Sequence, residues 1–267
     1  MNEFPAPQEN PHLDGLSPQT DPPIAEPPPP QPVQIPIHPP SGRVWVTYAI
    51  IGVTACIYLL QTLSKTVFNV DYPAYLGMKV NDFILMGQIW RLITPMLLHG
   101  SVLHIGFNMY FLYRIGPGLE RNYGSGRFLL LYLATAFSGN VFSFLFTPAA
   151  SLGASTAIFG LVTAYAVLIY RNRRFFADPQ KALTDITITI VANLILGLSA
   201  GIDNFGHVGG LLGGLAIGWF GGPQLAIKLE ADGYHIFNRQ SATRYAAVIA
   251  AVTTAFALLA ALKPLLF

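Results

Sequence analysis

The sequence predicts an all-α membrane protein, a polytopic bundle of seven transmembrane helices. Three observations point there. Of its 267 residues, 52% are hydrophobic and only 10% charged, with a mean hydropathy of +0.48, whereas a soluble domain carries about 25% charged residues. Seven apolar runs approach the roughly 20 residues a helix needs to cross the hydrocarbon core. The basic residues also fall on alternate connections between these runs, as the positive-inside rule requires.

The runs are Val44 to Leu63, Leu92 to Tyr113, Phe128 to Phe146, Leu152 to Tyr170, Leu183 to Leu198, Phe205 to Phe220 and Tyr245 to Leu262. Ser64 to Arg91 is too polar and irregular to span. With the N-terminus inside, the inner segments hold 11 basic residues (Arg43, Arg114, Arg121, Arg127, Arg171, Arg173, Arg174, Lys181, Lys228, Arg239 and Arg244). The outer segments hold 4 (Lys65, Lys79, Arg91 and Lys263), which accounts for all 15. An odd number of spans then puts the C-terminus outside. Residues 1–42 read as a disordered, proline-rich cytoplasmic tail, because Met1 to Pro40 hold 14 of the 21 prolines and few large apolar side chains. That polar opening has no cleavable signal pattern. Residues 43–222 form the six-helix core, and 223–267 a cytoplasmic connection and the seventh helix.

Composition also excludes function classes. A net charge of +2 with no basic run gives no nucleic-acid footprint. The lone Cys56 forms no internal disulfide or cysteine metal cluster, and within an apolar run it reads as a small buried hydrophobe. No cofactor and no metal is implied.

Polar groups inside spans are costly, so each is a functional candidate. The second run holds His99, His104 and Asn108; the fourth begins Gly153-Ala154-Ser155-Thr156; the sixth begins Asp203-Asn204-Phe205-Gly206-His207. All three runs descend from outside to inside, so these starts share one shallow outer depth. A serine, a histidine and an amide in one layer suit a nucleophile, a base and an oxyanion stabiliser. His104 and Asn108, four apart, project from one helix face. Ser155 falls in the first turn of its helix, where backbone N–H groups lack partners and the dipole is positive. Gly206, Gly210, Gly214 and Gly218 form a small-residue stripe, complementary to Gly153, Ala157, Gly160 and Ala164. Close approach of those two helices would bring Ser155 to His207. Asp203, four residues before His207, reads as a helix cap at the water interface rather than as a third catalytic acid.

These motifs, in this order, resemble the rhomboid family of intramembrane serine proteases, from Arg43 to the C-terminus. The likeness rests on Trp90-Arg91, on His99 with His104-x-x-x-Asn108, on Gly118-Leu119-Glu120-Arg121 with Tyr123-Gly124, on Gly153-x-Ser155, and on His207-x-x-Gly210-x-x-x-Gly214. It implies a rhomboid-like six-helix core plus one C-terminal transmembrane helix, of the bacterial or secretase-like kind, in the bacterial cytoplasmic membrane. It further implies Ser155 as nucleophile and His207 as base. The oxyanion hole would comprise His104, Asn108 and the Ser155 N–H, with Phe159 against the histidine. Trp90 and Arg91 would fix a membrane-embedded loop, and the fifth span would be the gate for a substrate helix. Substrates would be single-span or polytopic membrane proteins in the lipid bilayer. Thr156 departs from the family pattern, which has glycine after the serine, and Thr163 stands at another frequent glycine. Two other classes remain open: a catalytically silent rhomboid-like protein that binds membrane clients, which loss of Ser155 or His207 would mark, and a transporter with a histidine proton path, which the lack of a deep acidic residue disfavours.

Overall fold

The computed structural model describes residues 36–199 and 201–266. Seven long helices carry the architecture: α1 (Val46–Phe68), α4 (Val102–Tyr123), α5 (Ser125–Phe146), α6 (Ser155–Arg171), α7 (Pro179–Leu196), α8 (Asn204–Gly221) and α9 (Ala242–Leu266). Between α1 and α4 lie two short helices, α2 (Tyr72–Gly77) and α3 (Asn81–Leu85), followed by 3-10 turns at Ile89–Leu92 and Thr94–Leu97. Among the described residues α1, α5 and α9 are long and apolar enough to cross a membrane on length and composition alone, while α6 is a shorter apolar helix. The chain is an all-α polytopic membrane protein.

The second helix begins ten residues later than its apolar run suggests, at Val102 rather than Leu92. Pro95 sits in the second 3-10 turn, and Ser101 caps α4 by accepting the His104 N–H at 3.2 Å. The helix then continues through Pro117 to Tyr123. His99 therefore precedes the helix instead of lying inside a span. Cys56, expected to be buried, is exposed on α1.

The core is organised around α5, whose apolar residues Phe128, Leu131 and Tyr132 are buried with Leu161 and Leu168 of α6. α8 packs against α5 and α6 through two glycine faces. A methyl at Gly209 or Gly213 would strike Phe142 or Ser138 of α5. On the other face a methyl at Gly210 would overlap the Thr156 carbonyl, one at Gly214 the Gly160 carbonyl, and one at Gly218 would lie 3.2 Å from Ala164 Cα. These contacts step four residues along both helices together, so α6 and α8 run parallel with backbones almost touching. No residue of α7 is buried, and its main neighbour is α6.

α1 has no cap from its own sequence. Its free N–H groups are taken by Glu120 of α4, which is fully buried. Trp45 N and Val46 N donate to Oε1 at 3.0 and 2.9 Å, Thr47 N and Oγ1 to Oε2 at 2.8 and 2.7 Å, and Ser125 Oγ to Oε1 at 2.7 Å. A carboxylate meets the positive end of the α1 dipole and satisfies groups that the helix cannot satisfy itself.

Most of the segment read as a tail lies outside the described residues. At its end, however, Ile37–His38 form strand β1, and the connection before α9 is a hairpin of β2 (Leu225–Glu230) and β3 (Gly233–Asn238). The sheet order is β1-β3-β2, with β1 parallel to β3 (Ile37 opposite Tyr234, His38 opposite His235) and β2 antiparallel to it. The hairpin signal is present in the sequence as alternating residues around Asp232-Gly233, and Gly233 has φ +138°. Asn172, at the end of α6, anchors the hairpin by donating to the Pro223 carbonyl at 3.0 Å and accepting the Leu225 N–H at 2.8 Å.

Replacing Glu120 by Ala strands the three N–H groups that open α1. Thermal unfolding in detergent should show a loss of at least about 2 kcal/mol, the upper range for a lost helix cap. An unchanged midpoint would contradict the capping role.

Candidate active site

Ser155 is the first residue of α6, and His207 lies in the first turn of α8. The close α6–α8 approach sets their separation: His207 Nε2 is 2.9 Å from Ser155 Oγ. His207 is buried, and the Phe159 ring stacks on it with centroids 4.2 Å apart and planes 10° apart. Its Nδ1 is buried without a partner among the described residues. Asp203 does not reach that nitrogen. It caps α8 by accepting the Gly206 N–H at 3.0 Å, and it also accepts hydrogen bonds from Thr147 Oγ1 at 3.0 Å and from Ser143 Oγ. Burial alone would raise the Asp203 pKa, but these donors hold the carboxyl below its ordinary value.

His104 and Asn108 line the same cavity of about 720 Å³ as Ser155 and His207. Asn108 Nδ2 donates to the His104 carbonyl at 2.8 Å, so one amide hydrogen is held within α4. Gly153 has φ +134°, in the left-handed half of the map, and a methyl there would come within 2.7 Å of the His104 ring. Glycine at this position serves both backbone geometry and room for the imidazole.

The approach to Ser155 is fixed from three sides, and sequence reasoning identified only part of this. Gly153 N donates to the Pro95 carbonyl at 2.9 Å, and Ala154 N donates to His99 Nε2 at 3.4 Å. His99 is held in turn by Gln61 of α1, whose Oε1 accepts the His99 N–H at 3.0 Å and whose Nε2 donates to the His99 carbonyl at 3.3 Å. Lys79 and Ser151 exchange backbone hydrogen bonds of 2.9 and 3.1 Å. The Lys79 ammonium donates to the carbonyls of Thr147 and Ala149, the latter at 2.8 Å. Burial lowers its pKa to about 8, with Asp203 pulling in the opposite direction. Lys79 and Gln61 carry no motif; Lys79 lies in a connection too polar for one basic residue to stand out, whereas Gln61 is a polar residue inside the first apolar run.

Trp90 and Arg91 lie away from the cavity, in the connection between α1 and α4. Trp90 Nε1 donates to the Leu76 carbonyl at 3.1 Å. The buried Arg91 donates to the carbonyls of Met78 and Tyr75 at 2.7 and 2.8 Å and to Gln88 Oε1 at 2.8 Å. Gly210 and Gly214 touch α6 as described and form no polar part of the cavity. Thr156 is 5% exposed and fills the space left by two glycines, since a methyl at Gly139 would lie 2.6 Å from its Cβ and one at Gly206 3.1 Å from its Cγ2. The side chain after the serine is thus absorbed by packing against α5 and α8. Thr163 donates to the Phe159 carbonyl at 3.0 Å within its own helix.

Thr156→Gly should therefore leave a void among α5, α6 and α8 and lower stability by about 1–2 kcal/mol, from lost packing and helix propensity. Denaturation in mixed micelles measures this, and an unchanged stability would contradict the packing role.

Known proteins resemble this chain over much of its length. The family model described as Rhomboid domain matches residues 86–224. The chain is 39% identical over 175 residues to Rhomboid protease GluP of Bacillus subtilis (strain 168), covering 65% of this chain and 34% of that protein. It is 40% identical over 133 residues to Rhomboid-like protease 3 of Toxoplasma gondii, covering 49% and 51%, and 36% identical over 162 residues to RHOMBOID-like protein 1 of Arabidopsis thaliana, covering 60% and 40%. The matched region thus spans between about a third and a half of these relatives. The chain belongs to the rhomboid family.

Proposed function

We propose that this integral membrane protein is a serine endopeptidase that cleaves transmembrane segments of other membrane proteins near the outer membrane surface. The observation that carries the reading is the 2.9 Å contact between Ser155 Oγ and His207 Nε2, inside a cavity between helices. GluP and the Toxoplasma relative, both named as proteases, support it. In this reading residues 43–222 are the catalytic core and 223–267 the connection and seventh helix. The N-terminus is cytoplasmic and the C-terminus outside, in a bacterial cytoplasmic membrane.

The chemistry follows from the positions. His207 carries its proton on Nδ1, leaving the Nε2 lone pair to accept the Ser155 hydroxyl proton as Oγ bonds to the scissile carbonyl carbon. The oxygen of the tetrahedral intermediate gains negative charge. It is stabilised by the Ser155 N–H, at the positive end of α6, and by donors on Asn108 and His104. His207 then gives its proton to the departing amine as the C–N bond breaks, leaving an acyl group on Ser155. Water from the outer face repeats the sequence and releases the acid. Among the described residues no carboxylate meets Nδ1, and the transient imidazolium is steadied by the face of Phe159. A substrate helix must unwind before its carbonyl is accessible, which favours small or helix-weakening residues at the cut. α7, with no buried residue and with Ile190 and Asn193 on the cavity wall, is the natural lateral gate.

In liposomes with a single-span substrate, the wild type should cut near the outer end of the span, as read by mass spectrometry. Ser155→Ala and His207→Ala should each reduce the rate at least about a thousandfold. A serine-reactive phosphonate should label the wild type and not His207→Ala. Undiminished cleavage by Ser155→Ala would refute the assignment.

A further inference from the structure

The β-sheet at the end of the molecule that holds the α8–α9 connection brings together two histidines and a carboxylate that the proposed hydrolysis does not use. His38 on β1 stands directly across from His235 on β3, and Asp232 lies in the turn that opens β3. His235 Nε2 is 2.8 Å from Asp232 Oδ1, and His38 Nε2 is 3.9 Å from Asp232 Oδ2. The two imidazole rings stack, with centroids 4.6 Å apart and planes 23° apart. One donor atom from each residue falls within 4.8 Å of the others.

We propose that His38, Asp232 and His235 form a binding site for a single divalent transition-metal ion, zinc above all. The donor set is the first argument. Two neutral imidazole nitrogens and one carboxylate oxygen suit a borderline cation such as zinc, whereas calcium and magnesium take oxygen ligands. Spacing is the second. Tetrahedral zinc with ligand bonds of about 2.0–2.1 Å keeps its donor atoms roughly 3.4 Å apart, and the three donor atoms here already lie within 4.8 Å of one another.

Topology is the third argument. Parallel pairing fixes His38 and His235 on one face of the sheet, so the ligands are preorganised by backbone. β1 itself is only two residues long, so its own hydrogen bonds add little to hold it against β3. A metal bridging His38 to the hairpin would staple the chain entering α1 to the chain entering α9, across 194 residues of sequence. The three side chains are 41%, 65% and 28% exposed, which leaves water a fourth position and the ion a path in.

Zinc chloride titrated into the full-length chain in detergent, after chelator stripping, should bind at one ion per chain by calorimetry and elemental analysis. His38→Ala, Asp232→Asn and His235→Ala should each weaken binding at least tenfold, whereas His104→Ala should leave it unchanged. In the unaltered chain, zinc should also protect His38 and His235 from diethylpyrocarbonate, read by peptide mass spectrometry, so the idea stands or falls even if a variant misfolds. No saturable binding, or modification of both histidines unaffected by zinc, would show only a hydrogen-bonded cluster and overturn the proposal. Binding lost in His104→Ala and kept in the sheet variants would place the ion at the other histidines and overturn it equally.

Discussion

Everything at the candidate site depends on two parallel helices whose backbones nearly touch. Within a bilayer, apolar side chains gain little by leaving lipid for each other, so helices associate through close packing and interhelical polar contacts. Gly210 and Gly214 remove the side chains that would hold α8 away from the Thr156 and Gly160 carbonyls. The separation of α6 and α8 then leaves Ser155 and His207 one hydrogen bond apart at the shared end of both helices. A single methyl on either glycine would have to displace backbone, not a side chain, which makes the distance a rigid property of the interface. The same glycine-rich helix contacts α5 on its other face, so α8 is clamped rather than hinged.

A second constraint acts on the chain that leads into Ser155. Residues 147–154 have few helical hydrogen bonds of their own, and a buried backbone group left unsatisfied costs about 1–3 kcal/mol. The connection between α1 and α4 supplies the partners: the Pro95 carbonyl, the His99 ring, and the backbone and ammonium of Lys79. Gln61 and Arg91 hold that connection in turn. The short irregular helices before α4 thus behave as a frame for the serine loop. Glu120 performs the corresponding service at the other end of α1, satisfying N–H groups that its own sequence leaves open.

The sequence made the bundle legible because hydrophobicity over twenty residues is a strong signal, and the glycine stripes because spacing by four maps directly onto one helix face. Ser155, His207, His104 and Asn108 stood out because polar groups are rare in apolar runs. The start of α4 was misplaced because Leu92 to Leu98 is apolar yet broken by Pro95, and hydropathy does not distinguish a buried loop from a helix. His99 moved with that boundary, from a site within the span to a brace behind the serine loop. Asp203 reads as a cap because it stands just ahead of the sixth apolar run, at the water interface, and the Gly206 N–H is its partner. Its further bonds to Ser143 and Thr147 depend on tertiary placement that no local pattern carries. The β-hairpin is hard to discern in the sequence because its six-residue strands are short beside the long apolar runs that flank them.

The central claim is that the glycine contact between α6 and α8 sets the serine–histidine distance, and graded substitution along that contact tests it directly. The rate of fluorophosphonate labelling at Ser155 should fall at least tenfold in Gly214→Ala, where a methyl overlaps the Gly160 carbonyl. It should fall far less in Gly218→Ala, where the nearest atoms are 3.2 Å away. Circular dichroism in the same micelles reports whether each variant keeps its helices. Labelling of a folded Gly214→Ala at the wild-type rate would contradict the account.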